Sequence, residues 1–216
     1  MLAMPSPAQA LPQTGPVPEP RPVQGEADTS QPAAKPPSEE LACRTRLDAL
    51  GVVYTEHPLP DEPEGCGGAH PVLVEMLPGG VALRPAGVLT CPMAEATARY
   101  VRDHAAPAVR DVFDSDLAAI DQVSAYVCRS RRSGDKPSEH ARANALDWGA
   151  LELKDGTTIE IIRHRRIDRR HARLVGRLRD AACGPFTTVL GPGTDPDHAD
   201  HFHFDLATRR GDAYCR

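Results

Sequence analysis

The sequence predicts an α+β domain, with a small, mainly antiparallel sheet, helices packed to one side, and disulfide staples. Three observations predict it. Short runs of strand formers cluster between turn residues, the helical stripes fall in separate segments, and six cysteines lie far apart with no CxxC pair.

Residues 5–40 hold ten of the 22 prolines and almost no large apolar side chains, so they cannot bury enough surface to offset their ordering entropy. Residues 1–39 therefore read as a Pro-rich, disordered linker. Ala8, Gln9 and Ala10 fit the small-residue cleavage site of an exported protein, although no apolar stretch precedes them, so this region is also expected to carry the remnant of a leader. The folded domain is expected over 40–216.

Within it, "ELACRTRLDAL" at 40–50 predicts a helix stopped by Gly51, and "VVYT" predicts a short strand. Residues 57–71 must be loop, in which Cys66 needs a tether. A second helix is expected from Pro92 to Val112, with Met93, Ala96, Tyr100, Val101 and Val109 along one stripe. Strand formers gather around Tyr126 to Cys128. "ALDWGALELKDGTTIEII" predicts a hairpin, with strands at 145–153 and 157–162 joined at Lys154, Asp155 and Gly156. Strands are expected at 187–191 and 201–206.

Several function classes are excluded. The basic run at 163–179 carries Leu174, Val175 and Leu178 at helical spacing, so its arginines read as the solvated face of an amphipathic helix. With a net charge of −5, a nucleic-acid partner is not expected. No run of about 18 apolar residues exists to span a membrane. Scattered cysteines favour disulfides and an oxidising compartment, hence a periplasmic or otherwise exported protein, and leave the pairing open.

The chemistry concentrates near the carboxy terminus. "HFHFDL" at 201–206 alternates polar and apolar residues, which puts His201, His203 and Asp205 on one face of a strand and Phe202, Phe204 and Leu206 on the other. The turn-rich "GPGTDPDHAD" before it places His198 and Asp200 on the incoming loop. Such a cluster suits metal binding or proton transfer, the alternative being a solvated polar face. A further pair occurs in "SEHARANALDWG", where Asp147 follows His140 by seven residues. On a helix, two turns would align them; on a loop entering a strand, the chain could curl to bring them together. Either geometry permits joint coordination with His203, and two nitrogens plus one oxygen are usual donors for a catalytic zinc.

"SEHARANALD" resembles the S-x-H-x(6)-D signature of bacterial cell-wall zinc peptidases, including D-alanyl-D-alanine carboxypeptidases, lysostaphin-type enzymes and penicillin-insensitive murein endopeptidases. "HADHFHFD" is similar to the H-D-x-H-F-H run of the endopeptidases. Over residues 40–216 the chain looks like the extensin-like carboxy-terminal domain family, through "GCGGAHPV", "YVCRSR", "SEHARANALD", "AACGPFTTVLGPGTD" and "HADHFHFDL". The resemblance implies that His140, Asp147 and His203 hold Zn²⁺ on the sheet, that His201 lies beside the metal and that His198 is close to it. It makes Arg129 of "YVCRS" the counterpart of an arginine that binds the carbonyl oxygen or carboxylate of the substrate, with Arg131 behind it.

One position departs from the pattern. Many carboxypeptidases of that superfamily carry a general-base glutamate three residues before the last zinc histidine, and here Asp200 stands there. His201 is the preferred base, since Asp200 alternates away from the metal face. The implied activity is zinc-dependent hydrolysis of peptide bonds in peptidoglycan stems or cross-links by a monomeric enzyme. An endopeptidase is preferred because the histidine cluster follows that pattern. The alternatives are a D,D-carboxypeptidase and a non-catalytic peptidoglycan-binding envelope protein that retains the metal site.

Overall fold

The structure, a computed structural model, describes residues 36–216 except 60, 61, 64, 133 and 163–168. Most of the expected linker thus lies outside the described residues, and Ser38 and Glu39 already belong to the first helix.

Helix α1, Ser38–Leu50, opens with Glu39 and Glu40 in its first turn, where carboxylates oppose the positive helix end. Gly51 ends it in the left-handed region at φ 74°, returning its N–H to Asp48 and Leu47. Strand β1, Val53–Glu56, then pairs with β2, Val72–Leu77, which continues into β3, Val81–Leu89. The turn between β2 and β3 needs glycine, because Gly79 and Gly80 both take φ near +77°. This hairpin was not anticipated from the sequence.

Helix α2, Cys91–Tyr100, is capped by Thr90, whose side chain accepts from the Met93 N–H. It runs through a widened turn, Val101–Ala105, into α3, Ala106–Phe113. Pro107 has no N–H and would press on the preceding turn of a regular helix, and the single expected helix accommodates it by that widening. Strand β4, Leu117–Ser124, ends before Tyr126. The strand expected around Tyr126 to Cys128 is therefore displaced, and those residues form a loop. The hairpin of β5, Ala145–Leu153, and β6, Thr158–Glu160, falls where expected. Helix α4 is described from Arg169 to Ala182; the first part of the basic run lies outside the described residues. Strands β7, Thr188–Leu190, β8, Phe202–Asp205, and β9, Tyr214–Cys215, complete the set.

The strands form one sheet in the order β1-β2-β3-β4-β5-β8-β7-β9, with β6 pairing the far half of β5. Only β3–β4 and β7–β9 are parallel among the described pairs. Strand β5 is central: Ala145 to Trp148 pair with β8, and Ala150 to Glu152 pair with β6. Alternation along it sends Leu146 and Trp148 into the core, where Tyr100 of α2 meets Trp148, Phe186 and Phe204 with ring centroids 5.4–5.7 Å apart. The buried Tyr100 hydroxyl donates to the Leu178 carbonyl at 2.5 Å, joining α2 to α4. Asp147 and His203, at the intervening positions, fall on the opposite face.

All six cysteines are paired, as the scattered spacing favoured. Cys43–Cys91 ties α1 to the start of α2, Cys66–Cys128 ties the 57–71 loop to the loop after β4, and Cys183–Cys215 ties the end of α4 to β9. No described helix is long and apolar enough to cross a membrane.

Candidate metal centre

The register of β5 and β8 sets Asp147 directly opposite His203, bringing together residues 56 positions apart. His140 arrives on a tight turn, His140–Arg142, which Ala143 ends in the left-handed region at φ 53°. Of the two geometries open for His140 and Asp147, the chain takes the second, a loop curling into a strand. Backbone bonds from Val127 to the His140 carbonyl and from Asn144 to the Glu139 carbonyl hold this turn against the sheet.

The three side chains converge. His140 Nε2 lies 3.1 Å from His203 Nδ1 and 3.1 Å from Asp147 Oδ1, while His203 Nδ1 lies 2.8 Å from the same oxygen. All three donors fall within 4.8 Å of one another, and all three residues are buried. Donors each at about 2.0–2.1 Å from a tetrahedral zinc stand roughly 3.3 Å apart, close to this spacing.

The outward nitrogens are committed elsewhere. His140 Nδ1–H donates to the Ala125 carbonyl at 2.6 Å, and His203 Nε2–H donates to Asp205 Oδ2 at 3.0 Å. These bonds turn His140 Nε2 and His203 Nδ1 inward, towards each other and the Asp147 carboxylate. Two imidazole lone pairs at 3.1 Å repel unless a positive centre lies between or beside them. A proton on His203 Nδ1 supplies one, and a divalent ion bound by all three residues supplies a stronger one. The donor set and its fixed outer partners therefore fit a metal ion.

The electrostatics agree. Burial disfavours the charged His203 ring, but the hydrogen-bonded carboxylates of Asp147 and Asp205 outweigh it and raise the group to about 9. Burial likewise opposes ionisation of Asp147, yet its bonds to His140 and His203 hold it far below the usual carboxylate range. Asp205 is also lowered; burial opposes this, and His203, Thr188 and the Ala207 N–H overcome it.

The cluster forms part of the wall of an open cleft of about 840 Å³, to which Arg129, His198, Asp200 and His201 also contribute. His201 precedes β8; its Nε2 lies 3.7 Å from Asp147 Oδ2, and its Nδ1–H donates to Asp200 Oδ1 at 2.7 Å. Asp200 thus holds the His201 ring through Nδ1. His198 is held in the same way, its Nδ1 2.8 and 2.9 Å from the Asp195 carboxylate oxygens and its ring 5.6 Å from that of His203. Arg129 is exposed on the cleft wall with no ion-pair partner among the described residues. Arg131 is engaged with Glu139 at 3.0 Å, and Arg132 with Asp197.

Sequence reasoning brought together the three candidate ligands and the two neighbouring histidines. It placed Asp205 on the histidine face without a role, and it named Asp195 only as a turn former. Glu139 and Arg209 on the cleft wall were missed. No local pattern joins them, since their proximity arises from the tertiary fold.

A sequence profile described as "Extensin-like protein C-terminus" matches residues 41–216. No curated protein and no solved structure matches the chain.

Proposed function

We propose, from the premise that the chain belongs to the extensin-like protein C-terminus family, that it is an exported zinc-dependent peptidase acting on peptidoglycan stem peptides or cross-links, preferentially as an endopeptidase. The observation that carries this reading is the buried convergence of His140, Asp147 and His203 beside an open cleft.

When bound, zinc supplies a Lewis acid that lowers the pKa of water to about 7 and polarises a carbonyl. His140, Asp147 and His203 would hold it, with Ala125 and Asp205 fixing the ring orientations. His201 is the general base: Asp200 takes its Nδ1–H, which leaves Nε2 facing the cluster to accept a proton and pass it to the leaving amine. Arg129 presents donors from the cleft to the oxygen that gains charge, an effect typically worth about 3 kcal/mol per well-placed donor, and His198, whose Nδ1 is held by Asp195, adds an Nε2–H donor only as an imidazolium. Three disulfides support an oxidising compartment such as the periplasm.

The test is digestion of purified sacculi with zinc-loaded protein, followed by separation of the muropeptides. New products that vanish with chelator and in His203→Ala are expected. Retention on sacculi without products would instead assign a non-catalytic wall-binding role.

A further inference from the structure

Beside the cleft lies a second recess of about 590 Å³, walled by the Gly-rich loop at 65–69, by Arg131 and Arg142, and by Arg209 near the carboxy terminus. Arg131, Glu139 and Arg209 border both cavities, so a peptide lying across the candidate metal centre can extend from one into the other.

Charge in the recess is unbalanced. Among the described residues that line it, three guanidinium groups face one carboxylate, Glu139, which is itself buried. Glu139 takes Arg131 at 3.0 Å, Arg142 at 3.4 Å and the Asn144 amide at 2.8 Å, so it holds two arginines in place while neutralising the charge of only one. Arg209 has no carboxylate partner among the described residues: it donates to the Thr188 hydroxyl and lies over the Tyr214 ring, 5.2 Å from its centroid. The opposite wall is built to fit closely. A Cβ on Gly68 would lie 2.8 Å from the Arg142 carbonyl oxygen, so only glycine lets the 65–69 loop approach this near. Cys66, in the same loop, is bonded to Cys128.

We propose that this recess is a subsite for a carboxylate of the substrate peptide, held by Arg209 and Arg142 while the scissile bond lies at the His140, Asp147 and His203 cluster. The proposal rests on the peptidase reading for the identity of the ligand. Two guanidinium groups on the wall of one recess, each with a hydrogen-bond partner to orient it, suit a planar carboxylate. That carboxylate belongs either to a side chain or to the chain terminus, and the second case would make the enzyme a carboxypeptidase.

The probes are a synthetic stem tetrapeptide with its side-chain and terminal carboxylates free, and two forms in which one or the other is amidated. Binding to the full chain is measured calorimetrically in chelator, where no turnover occurs. One amidated form is expected to bind about tenfold more weakly than the free peptide, the scale of losing one charge-assisted pair. Which form it is identifies the carboxylate. Arg209→Gln and Arg142→Gln should each weaken the free peptide by a similar factor and erase the discrimination, whereas the exposed Arg173→Gln should change neither. If no form binds, if all bind alike, or if both recess variants keep the full preference, the proposal is wrong. Hydrolysis by zinc-loaded protein is followed in parallel. Cleavage indifferent to amidation, with unselective binding, removes the subsite and leaves the peptidase, whereas selective binding without cleavage does the reverse.

Discussion

His203 sits between two carboxylates, and its proton is the clearest handle on the site. Its pKa is raised to about 9 from an ordinary value near 6.5, because Asp147 and Asp205 outweigh the effect of burial. In the metal-free protein this group contributes stability that is complete below about 6.5 and is lost as pH rises through 9. Asp147 has the opposite sense: its depressed pKa contributes stability above the ordinary carboxylate range that is lost as pH falls. Metal-free stability should therefore be greatest between those limits. A metal bound through His203 Nδ1 must displace the proton that donates to Asp147. Zinc binding at pH 7.5, measured calorimetrically in buffers of different ionisation enthalpy, should release about one proton, and the count should fall as pH approaches 10. Release of none would mean that His203 is not both protonated in the metal-free protein and a ligand in the bound one.

At the level of elements, the arginine-bearing loop between β4 and β5 depends on the Cys66–Cys128 bond. It carries Ala125, which orients His140, as well as Arg129 and Arg131. The double variant Cys66→Ser with Cys128→Ser should lose about 2–5 kcal/mol in chemical denaturation. It should also lose more activity on sacculi than the matching removal of Cys183–Cys215, which lies away from the loop. Equal losses for both pairs would show that the staple supports the fold without positioning the site. The same loop explains what sequence could and could not predict. Tyr126 to Cys128 are strand formers, yet here the backbone serves a buried histidine and a disulfide instead of a ladder. Strands β2 and β3 escaped because the pattern is broken by a register shift between Val74 and Met76, and because Pro85 argues against a strand interior. Strand β8 was legible because its alternation is strict, and β5 and β6 because strand formers flank a local turn at 154–156.

For the whole molecule, the candidate ligands were readable from motif spacing, whereas the paired register that joins them is a property of the folded sheet. That join has a thermodynamic consequence. His140 comes from a turn, and Asp147 and His203 from adjacent strands, so the three donors stand within shared reach only in the folded chain. An ion bound to all three favours the folded state by mass action, by about 2.7 kcal/mol at a free concentration one hundredfold above Kd. For a domain of this size that corresponds to a rise in melting temperature of roughly 5–10 °C. Zinc added to chelator-treated protein should produce such a shift in calorimetric or fluorescence melts. Magnesium, which prefers six oxygen donors, should not. His203→Ala, which removes one ligand and leaves Phe202 and Phe204 to hold β8 in the core, should still melt cooperatively but no longer respond to zinc. A wild-type melt unmoved by zinc would mean that the convergence of His140, Asp147 and His203 is a protonated hydrogen-bond cluster and not a metal centre.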